Sequence, residues 1–474
     1  EEHKKKYLPR FRQGAISGFA LTEPDAGSDP RMIKTTATPI DGGKYYLING
    51  EKLWCTNGNI ADILVVMAVT PPKMAGGREK KQITAFIVET NTPGFEVAYR
   101  CKFMGLNAIQ NGLIRFKDVK VPRENILMGE GQGLKLAFLT LNTGRLTLPA
   151  AVTGMSKWCL WIGREWASTR KQWGSPIGEH EAIASKLSSI ASTVFAMDAM
   201  MRLVSQMSDD KRFDIRLEAA MAKLFCTEES WKVLNDTIQI RGGRGYETAP
   251  SLKGRGTAAY PLERAMRDSR VNTILEGSSE IMHLFIAREA LDFHLNKIKL
   301  FLDTKISVIR KLGLAVSISI GYALWYIGLW LPSFCGGENL PKPLDGHMIF
   351  VKRTSKRLAR TIFHKMAVYQ QKLVQKQNVL NRLVDIGTDL FAMSCASAYA
   401  ASLAKHQDGA GLAGKDRESG ALELADLFCR RARVRIARNF RDVSHNDDRL
   451  SNRVAKKVLA GDYEWLEDDI IKGR

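Results

Sequence analysis

Within residues 131–148, GQGLKLAFLTLNTGRLTL, the hydrophobic period of the chain changes. Upstream, short β-rich apolar runs sit between turn residues, which predicts strands. From Gly131 onward apolar residues return at three- and four-residue steps, which predicts long amphipathic helices. A strand-rich region therefore precedes a helix-rich one, and the expected class is α+β.

On the strand side, residues 14–128 carry β-rich runs at 15–21, 45–48, 63–69, 83–88, 95–99 and 113–121, with Pro122 closing the last. The triplet Asp41-Gly42-Gly43 before Tyr45 is a hairpin signal. This spacing predicts an all-β sandwich or barrel. On the helix side, 134–148, 151–169, 181–207 and 215–240 predict a four-helix bundle. Gly242, Gly243 and Gly245 break the fourth helix, a loop runs to Pro261, and helices follow at 262–268 and from Ile281 to about 295. Residues 298–474 read as a further, mostly helical domain, with stretches at 352–380, 383–404, 421–440 and 449–459 and a loop-like segment at 406–420. Residues 1–13 read as the tail of a helix and a connector ending near Pro9. The expected domains are thus 1–13, 14–128, 129–297 and 298–474. With no initiator Met, the chain reads as a fragment that begins inside a domain.

A hydrophobic fraction of 45% is that of a protein with real cores. Seven cysteines with no C-x-x-C pair argue for a reducing compartment and against a disulfide frame or a zinc site. A net charge of +20 points to anionic partners: phosphorylated cofactors, coenzyme A, anionic lipid or nucleic acid. An ordinary basic surface accounts for it equally well.

Four stretches carry chemistry. In FALTEPDAGSD, residues 19–29, small and hydroxylated residues around a turn suit a planar, phosphate-bearing ligand. In KLWCTN, residues 52–57, Trp54 and Thr56 fall on one strand face, so an indole covers a flat ring while a hydroxyl meets its edge. In RKQWG, residues 170–174, Arg170 suits a pyrophosphate and Trp173 an adenine, with His180-Glu181 close behind. In QIRGGRG, residues 239–245, glycines permit close backbone approach to a ribose or phosphate. Each alone is equally a plain turn, core aromatic, basic helix end or helix cap.

The fifth stretch is VNTILEGSSEIMHLF, residues 271–285. Glu276 ends an apolar run just before a helix start, a semi-buried place that raises proton affinity and suits a general base. Ser278 or Ser279 is placed to cap the helix.

ALTEPDAGSD, KLWCTN, RKQWG, QIRGGRGY and PLERAMRDSRVNTILEGSSEI occur in that order on a β-domain followed by helices, from residue 20 to residue 281. Together they closely resemble the acyl-CoA dehydrogenase family of flavoenzymes, over residues 1 to about 296. The segments VDIGTDLFAMSCASAYA (384–400) and LADLFCRRARVRI (424–436) resemble the C-terminal extension of its very-long-chain members.

The resemblance implies FAD between the β-domain and the helix bundle. Phe19, Ala20, Leu21, Thr22, Gly27 and Ser28 would contact the flavin, with Ser28 also beside the CoA phosphates. Trp54 would flank the isoalloxazine and Thr56 would hydrogen-bond its N5 edge. Arg170, Gln172, Trp173, Gln239, Gly242 and Gly243 resemble residues that reach the FAD of a neighbouring subunit, implying at least a homodimer. Ser278 and Glu280 would lie beside the FAD adenosine. Arg145 would lie near the acyl-CoA substrate, together with Gly277, and Glu276 would be the catalytic base. The implied reaction is α,β-dehydrogenation of a long-chain acyl-CoA to a trans-2-enoyl-CoA in fatty acid β-oxidation. Glu276 takes the α-proton, hydride passes to flavin N5, and electrons leave to an electron-transfer flavoprotein. The implied location is a bacterial cytoplasm or a mitochondrial matrix, at the inner-membrane face. Asp25 and Cys55 depart from the family, standing where small and aliphatic residues are common. The helical domain with which family members begin would lie ahead of residue 1.

Two features sit beside that reading. Residues 312–331, LGLAVSISIGYALWYIGLWL, are uncharged and aromatic-rich behind Arg310-Lys311; they suit a buried bundle helix, a peripheral membrane contact or a span. Arg430, Arg431, Arg433, Arg435, Arg438 and Arg441 form a run that would suit nucleic acid or anionic lipid. This leaves a non-enzymatic binding or assembly protein as the alternative, against which the intact Glu276 and cofactor motifs weigh.

Overall fold

The computed structural model describes residues 1–210, 212, 214–302, 308–331, 340–342, 344–405 and 412–470. They form two compact units: Glu1–Leu187 with Cys226–Ile281, and Ser188–Phe225 with Met282–Arg474. The α+β class expected from the sequence is the one observed.

After helix α1 (Glu2–Arg12) come β1 (Ser17–Ala20), β2 (Thr36–Ile40), β3 (Tyr45–Thr56), β4 (Ile63–Ala75), β5 (Arg78–Glu89), β6 (Phe95–Arg100), β7 (Asn111–Pro122) and β8 (Ile126–Leu127). The sheet runs β6-β7-β3-β2-β4-β5-β8, with β1 parallel to β4. The Asp41-Gly42-Gly43 turn places Ile40 opposite Tyr45, and both glycines take the left-handed backbone that a tight turn needs. A single pair, Thr36 with Val69, joins β2 to β4, so the sheet folds into two halves. Their inward residues share one core: Ile48, Ile114 and Phe116 from one half, Leu64, Val66 and Val88 from the other. The rings of Tyr46 and Phe86 meet across it at 5.2 Å. This is the predicted sandwich, closed by burial of the alternate apolar positions of each strand. Strands β2 and β8 escaped the sequence reading because each is short and one contains Pro39.

The helices after the sheet are α2 (Gly133–Thr169), α3 (Glu181–Asp209), α4 (Arg216–Arg241), the short α5 (Gly243–Tyr246) and α6 (Ala249–Gly254), α7 (Leu262–Ser269) and α8 (Ser279–Leu302). A two-stranded hairpin, β9 (Lys171–Gln172) and β10 (Ser175–Pro176), follows α2. Two expected breaks are absent. The two helices read at 134–148 and 151–169 are one helix of 37 residues that passes through Pro149. Proline removes one N–H, that which would serve the carbonyl of Arg145, while burial of Ala137, Val152, Cys159 and Ile162 on either side holds the helix together. Helix α1 likewise continues past Pro9 to Arg12. The loop expected up to Pro261 contains α5 and α6.

The second unit contains α9 (Val308–Gly328), α10 (Leu344–Tyr369), α11 (Gln377–Lys405), α12 (Leu412–Asp442) and α13 (Asp448–Leu459). One of its cores joins Ala220, Met221 and Leu224 of α4 to Met282 and Ile286 of α8 and Leu380 and Val384 of α11. The expected break near 381 falls instead at 370–376, where Gln370 takes a left-handed backbone. Arg382 lies inside α11 and pairs with Asp448 through two hydrogen bonds of 2.7 and 2.8 Å. The loop read at 406–420 is helical from Leu412, and 406–411 lie outside the described residues.

Helix α9 turns its aromatic side toward α10: the rings of Tyr322, Trp325 and Tyr326 all approach Phe363. Its other side is open, with Val316, Ile320, Leu324 and Ile327 each more than half exposed. The buried-helix reading of 312–331 is therefore corrected. Among the described residues, only α3 is long and apolar enough to cross a membrane, and 56% of its apolar window is buried inside the protein.

The arginine run is committed internally. Arg435 grips Asp389, Arg430 pairs with Asp426, Arg438 and Arg441 pair with Asp442, Arg433 donates to the carbonyl of Gly346, and Arg431 donates to Ser188 and Ser192. Arg431, Arg433 and Arg435 thus serve the fold of this unit, whereas Arg430, Arg438 and Arg441 remain 68–76% exposed in pairs within α12.

Candidate active site

The residues expected to bind cofactor or substrate or to act as the base all lie in the first unit, in three groups. The first group is the end of β1 with the end of β3. Gly18 allows the approach, since a Cβ there would fall 2.8 Å from the carbonyl of Thr56 and 2.7 Å from Leu64. The Leu53 N–H then donates to the Thr22 carbonyl at 2.9 Å. Beneath this junction Lys52 is fully buried; its Nζ donates to the Leu21 carbonyl at 3.1 Å and to Glu23 Oε1 at 2.8 Å. Glu23 also accepts the N–H groups of Lys34 and Thr35. Burial pushes the Glu23 carboxyl upward, but Lys52 and the two N–H donors outweigh it and hold it below its ordinary value.

A register shift between Lys52 and Cys55 puts Trp54 at positive φ. Lys52 and Cys55 point inward while Trp54 and Thr56 face outward, the indole 57% exposed. Thr56 Oγ1 accepts from Asn111 at 3.1 Å, so its own proton is left to donate outward. Phe19, Leu21 and Thr22 lie partly buried beside this face. Ala20 does not: it is buried in the sheet core, and only its backbone is available. Gly27 and Ser28 are exposed beyond the Glu23–Ala26 turn.

The second group lines a cavity of about 490 Å³ formed by Trp166, Arg170, Gln172, Ile177, Gly242, Gly243, Arg244 and their neighbours. Four predicted residues meet here. Trp173 stands 91% exposed at the hairpin tip, edge-on to His180 at 5.8 Å. Gln239 is exposed and does not line the cavity. His180 bonds the Gln172 carbonyl and so holds the hairpin.

The sequence reading missed Arg241 and Arg244. Their guanidiniums lie 4.8 and 4.9 Å from the Trp166 ring, with Arg170 on the same ring at 5.8 Å. The Nε atoms of Arg241 and Arg244 are buried with no hydrogen-bond partner among the described residues. Burial lowers the Arg241 pKa. Arg255 and Ser251 hold Glu247 at about 2, so Arg255 is neutralised and the cavity's charge rests on Arg170, Arg241 and Arg244. The available signal was two arginines inside a Gly-rich break, the pattern of an anion site.

The third group surrounds Glu276. Glu276 and Gly277 both take left-handed backbones, at φ 54° and 99°. Ser278 caps α8, its Oγ accepting the Ile281 N–H at 3.5 Å, and Ser279 donates to Glu228. Glu280 is exposed in the first turn of α8. Helix α7 ties this segment to the sheet domain: Asp268 accepts the Leu106 N–H at 2.6 Å and Arg267 donates to the Met104 carbonyl at 3.1 Å. The Glu276 carboxylate rests on Gly144 of α2, next to Arg145, which is 5% exposed.

Exposed indole and hydroxyl on one strand end, a cationic cavity and a carboxylate on a capped helix start suit a flavin dinucleotide enzyme. Comparison with known proteins agrees. Residues 18–119 match the acyl-CoA dehydrogenase middle domain, 131–291 the acyl-CoA dehydrogenase C-terminal domain, and 342–462 the ACAD9/ACADV C-terminal domain. The protein named probable acyl-CoA dehydrogenase FadE10 of Mycobacterium tuberculosis H37Rv is 48% identical over 479 residues, covering 99% of this chain and 71% of its own length. The mouse protein named very long-chain specific acyl-CoA dehydrogenase, mitochondrial, is 33% identical over 407 residues, 82% of this chain and 58% of its own. The crystal structure of an acyl-CoA dehydrogenase complexed with FAD from Bacillus anthracis superposes with a TM-score of 0.75 at 26% identity, covering 96% of this chain and 74% of that one. The chain belongs to the acyl-CoA dehydrogenase family of FAD-dependent oxidoreductases.

The residues fit FAD. Thr56 is left to donate, Gly242 and Gly243 have nothing within 4 Å of where a Cβ would stand, and Arg170, Arg241 and Arg244 line the cavity of about 490 Å³.

Proposed function

We propose that the chain carries out α,β-dehydrogenation of a long-chain acyl-CoA, with Glu276 as the base. The observation that carries this is the seat of Glu276: a carboxylate on left-handed backbone at the end of an apolar run, packed on Gly144 beside the buried Arg145. Glu276 takes the proton from the α-carbon, and its own N–H donates to the thioester carbonyl, which makes that proton more acidic. Trp54 and Thr56 hold the flavin ring, Thr56 by donating to its edge. When bound, FAD supplies the hydride acceptor. Arg170, Arg241 and Arg244 bind its phosphates in a second copy of the chain, so the active form is a homodimer. An electron-transfer flavoprotein is the family's usual acceptor. The similarity to a very long-chain specific dehydrogenase and the match over 342–462 support a long acyl chain. The open apolar side of α9 supports peripheral contact with a membrane face. We assign FAD and acyl-CoA binding to 14–128, the base to 129–297, and the helical extension to 298–474.

Turnover with a series of short, long and branched acyl-CoAs tests the reading. Long chains should react fastest, and Glu276→Gln should lower kcat by about 10²- to 10⁴-fold with flavin retained. Equal turnover by Glu276→Gln would remove Glu276 from the chemistry.

A further inference from the structure

Glycine inside a helix weakens it relative to alanine, so an interior glycine needs a reason. Helix α2 contains Gly144, Gly154 and Gly163 in its interior, none at positive φ. Backbone conformation therefore demands none of them. At Gly154 a Cβ would meet nothing within 4 Å, and at Gly163 it would make an ordinary contact with Leu187 at 3.4 Å. At Gly144 it would fall 2.0 Å from Glu276 Oε2, 2.6 Å from its Cδ and 2.8 Å from its Oε1. The three nearest atoms all belong to one carboxylate.

We propose that Gly144 is a positioning residue for the dehydrogenation: the space left by its missing side chain is the seat of the Glu276 carboxylate. This rests on the reading of Glu276 as the base. The left-handed Glu276-Gly277 backbone brings the carboxylate against α2 at Gly144. The seat fixes where the Oε atoms stand, and with it their distance from the α-hydrogen of a bound thioester. A methyl group at 144 displaces the carboxylate, because the three atoms nearest to it are the far end of a flexible side chain. The proton still leaves the α-carbon for a carboxylate oxygen, but from a displaced position, and a misplacement of about 1 Å costs on the order of 10²-fold in rate. A shorter acid needs less of this space, so the effect belongs to the pair of positions rather than to Gly144 alone.

The test uses the full chain with FAD and palmitoyl-CoA. It compares wild type with Gly144→Ala, Gly154→Ala, Glu276→Gln, Glu276→Asp and the double variant Gly144→Ala/Glu276→Asp. The readouts are kcat, KM, the pH profile of kcat, flavin content and thermal midpoint. Gly144→Ala should lower kcat roughly 10- to 100-fold and move the acid limb of the pH profile. KM should change little, flavin should be retained, and the thermal midpoint should equal or exceed that of wild type. Gly154→Ala should match wild type in rate. In the Glu276→Asp background the same alanine should cost less than about threefold, the rescue expected when a shorter acid clears the methyl. Wild-type kcat and pH profile in Gly144→Ala, with Glu276→Gln inactive, would overturn the proposal and leave the base in place. Loss of flavin or fold in Gly144→Ala, or an equal penalty in both backgrounds, would also overturn it. Full activity in Glu276→Gln would instead overturn the reading of the base.

Discussion

Lys52→Met isolates what holds the flavin-facing strand ends together. The Lys52 side chain is 0% exposed and that of Glu23 6%. Between them they tie three segments: Nζ binds the Leu21 carbonyl and Glu23, and Glu23 binds the Lys34 and Thr35 N–H groups. Methionine fills similar volume but leaves Glu23 as a buried carboxylate whose cation is gone. Removing one partner of a buried pair costs about 3–5 kcal/mol. In a unit of this size each kcal/mol lowers the melting temperature by roughly 2–4 °C, so a fall on the order of 10 °C is expected. Replacing both partners, Lys52→Met with Glu23→Leu, removes the unpaired charge and should recover part of the loss, leaving the Lys34 and Thr35 N–H groups without their acceptor and the Leu21 carbonyl without its donor. The assay is calorimetry of the three proteins at pH 7, with bound flavin measured by absorbance. Flavin retention should fall with Lys52→Met, because Leu21, Thr22 and Trp54 hang from this junction. The sign with pH follows from Glu23: its folded value lies below 4.5, so its contribution is complete above that value and is lost on acidification through the lower folded value. A Lys52→Met protein as stable as wild type, or a double variant no more stable than the single one, would refute the reasoning.

Three further outcomes are expected. Trp166→Ala should loosen Arg170, Arg241 and Arg244 together and weaken FAD retention, and Arg241→Leu should do so more than Arg255→Leu, since Arg255 is already neutralised by Glu247; the flavin-to-protein absorbance ratio after gel filtration reads this directly. Burial, reinforced by Arg433 and opposed by Asp426, places the His347 pKa below 6.5, so the folded state binds fewer protons and stability should drop as pH falls below 6.5; melting at pH 7.5 and 5.5 should show a larger acid loss in wild type than in His347→Gln. Leu324→Glu on the open side of α9 should reduce binding to vesicles of phosphatidylcholine with anionic lipid without changing turnover of soluble substrate, measured by co-sedimentation.

What could be read in advance follows the range of the interactions. The strands at 45–48 and 83–88, the Asp41-Gly42-Gly43 hairpin and the switch of period at Gly131 are local, and they stand where the residues placed them. The motif residues around Trp54, Gly242 and Glu276 were also legible, since a turn glycine or a cap serine acts on its neighbours. Pro9 and Pro149 misled because a proline costs one hydrogen bond, which packing on either side of it overrides. The polar stretch from Leu412 looked like a loop, yet it continues into a helix whose apolar positions are buried further on. Lys52 with Glu23, Arg241 and Arg244 with Trp166, and Glu276 with Gly144 are pairs brought together only by the fold. Their partners lie 29 or more positions away, and no periodicity announces them. Ala20 shows the opposite case: the motif pointed to it, but its side chain belongs to the sheet core.

The most direct measurement is anaerobic. Palmitoyl-CoA is added to the flavin-loaded protein, with any preceding domain present, while the flavin absorbance is followed. The account predicts stoichiometric bleaching in wild type, formation of trans-2-hexadecenoyl-CoA, and no bleaching in Glu276→Gln with its flavin still bound. A bound flavin that stays oxidised with short, long and branched acyl-CoAs, or that bleaches equally in Glu276→Gln, would contradict it.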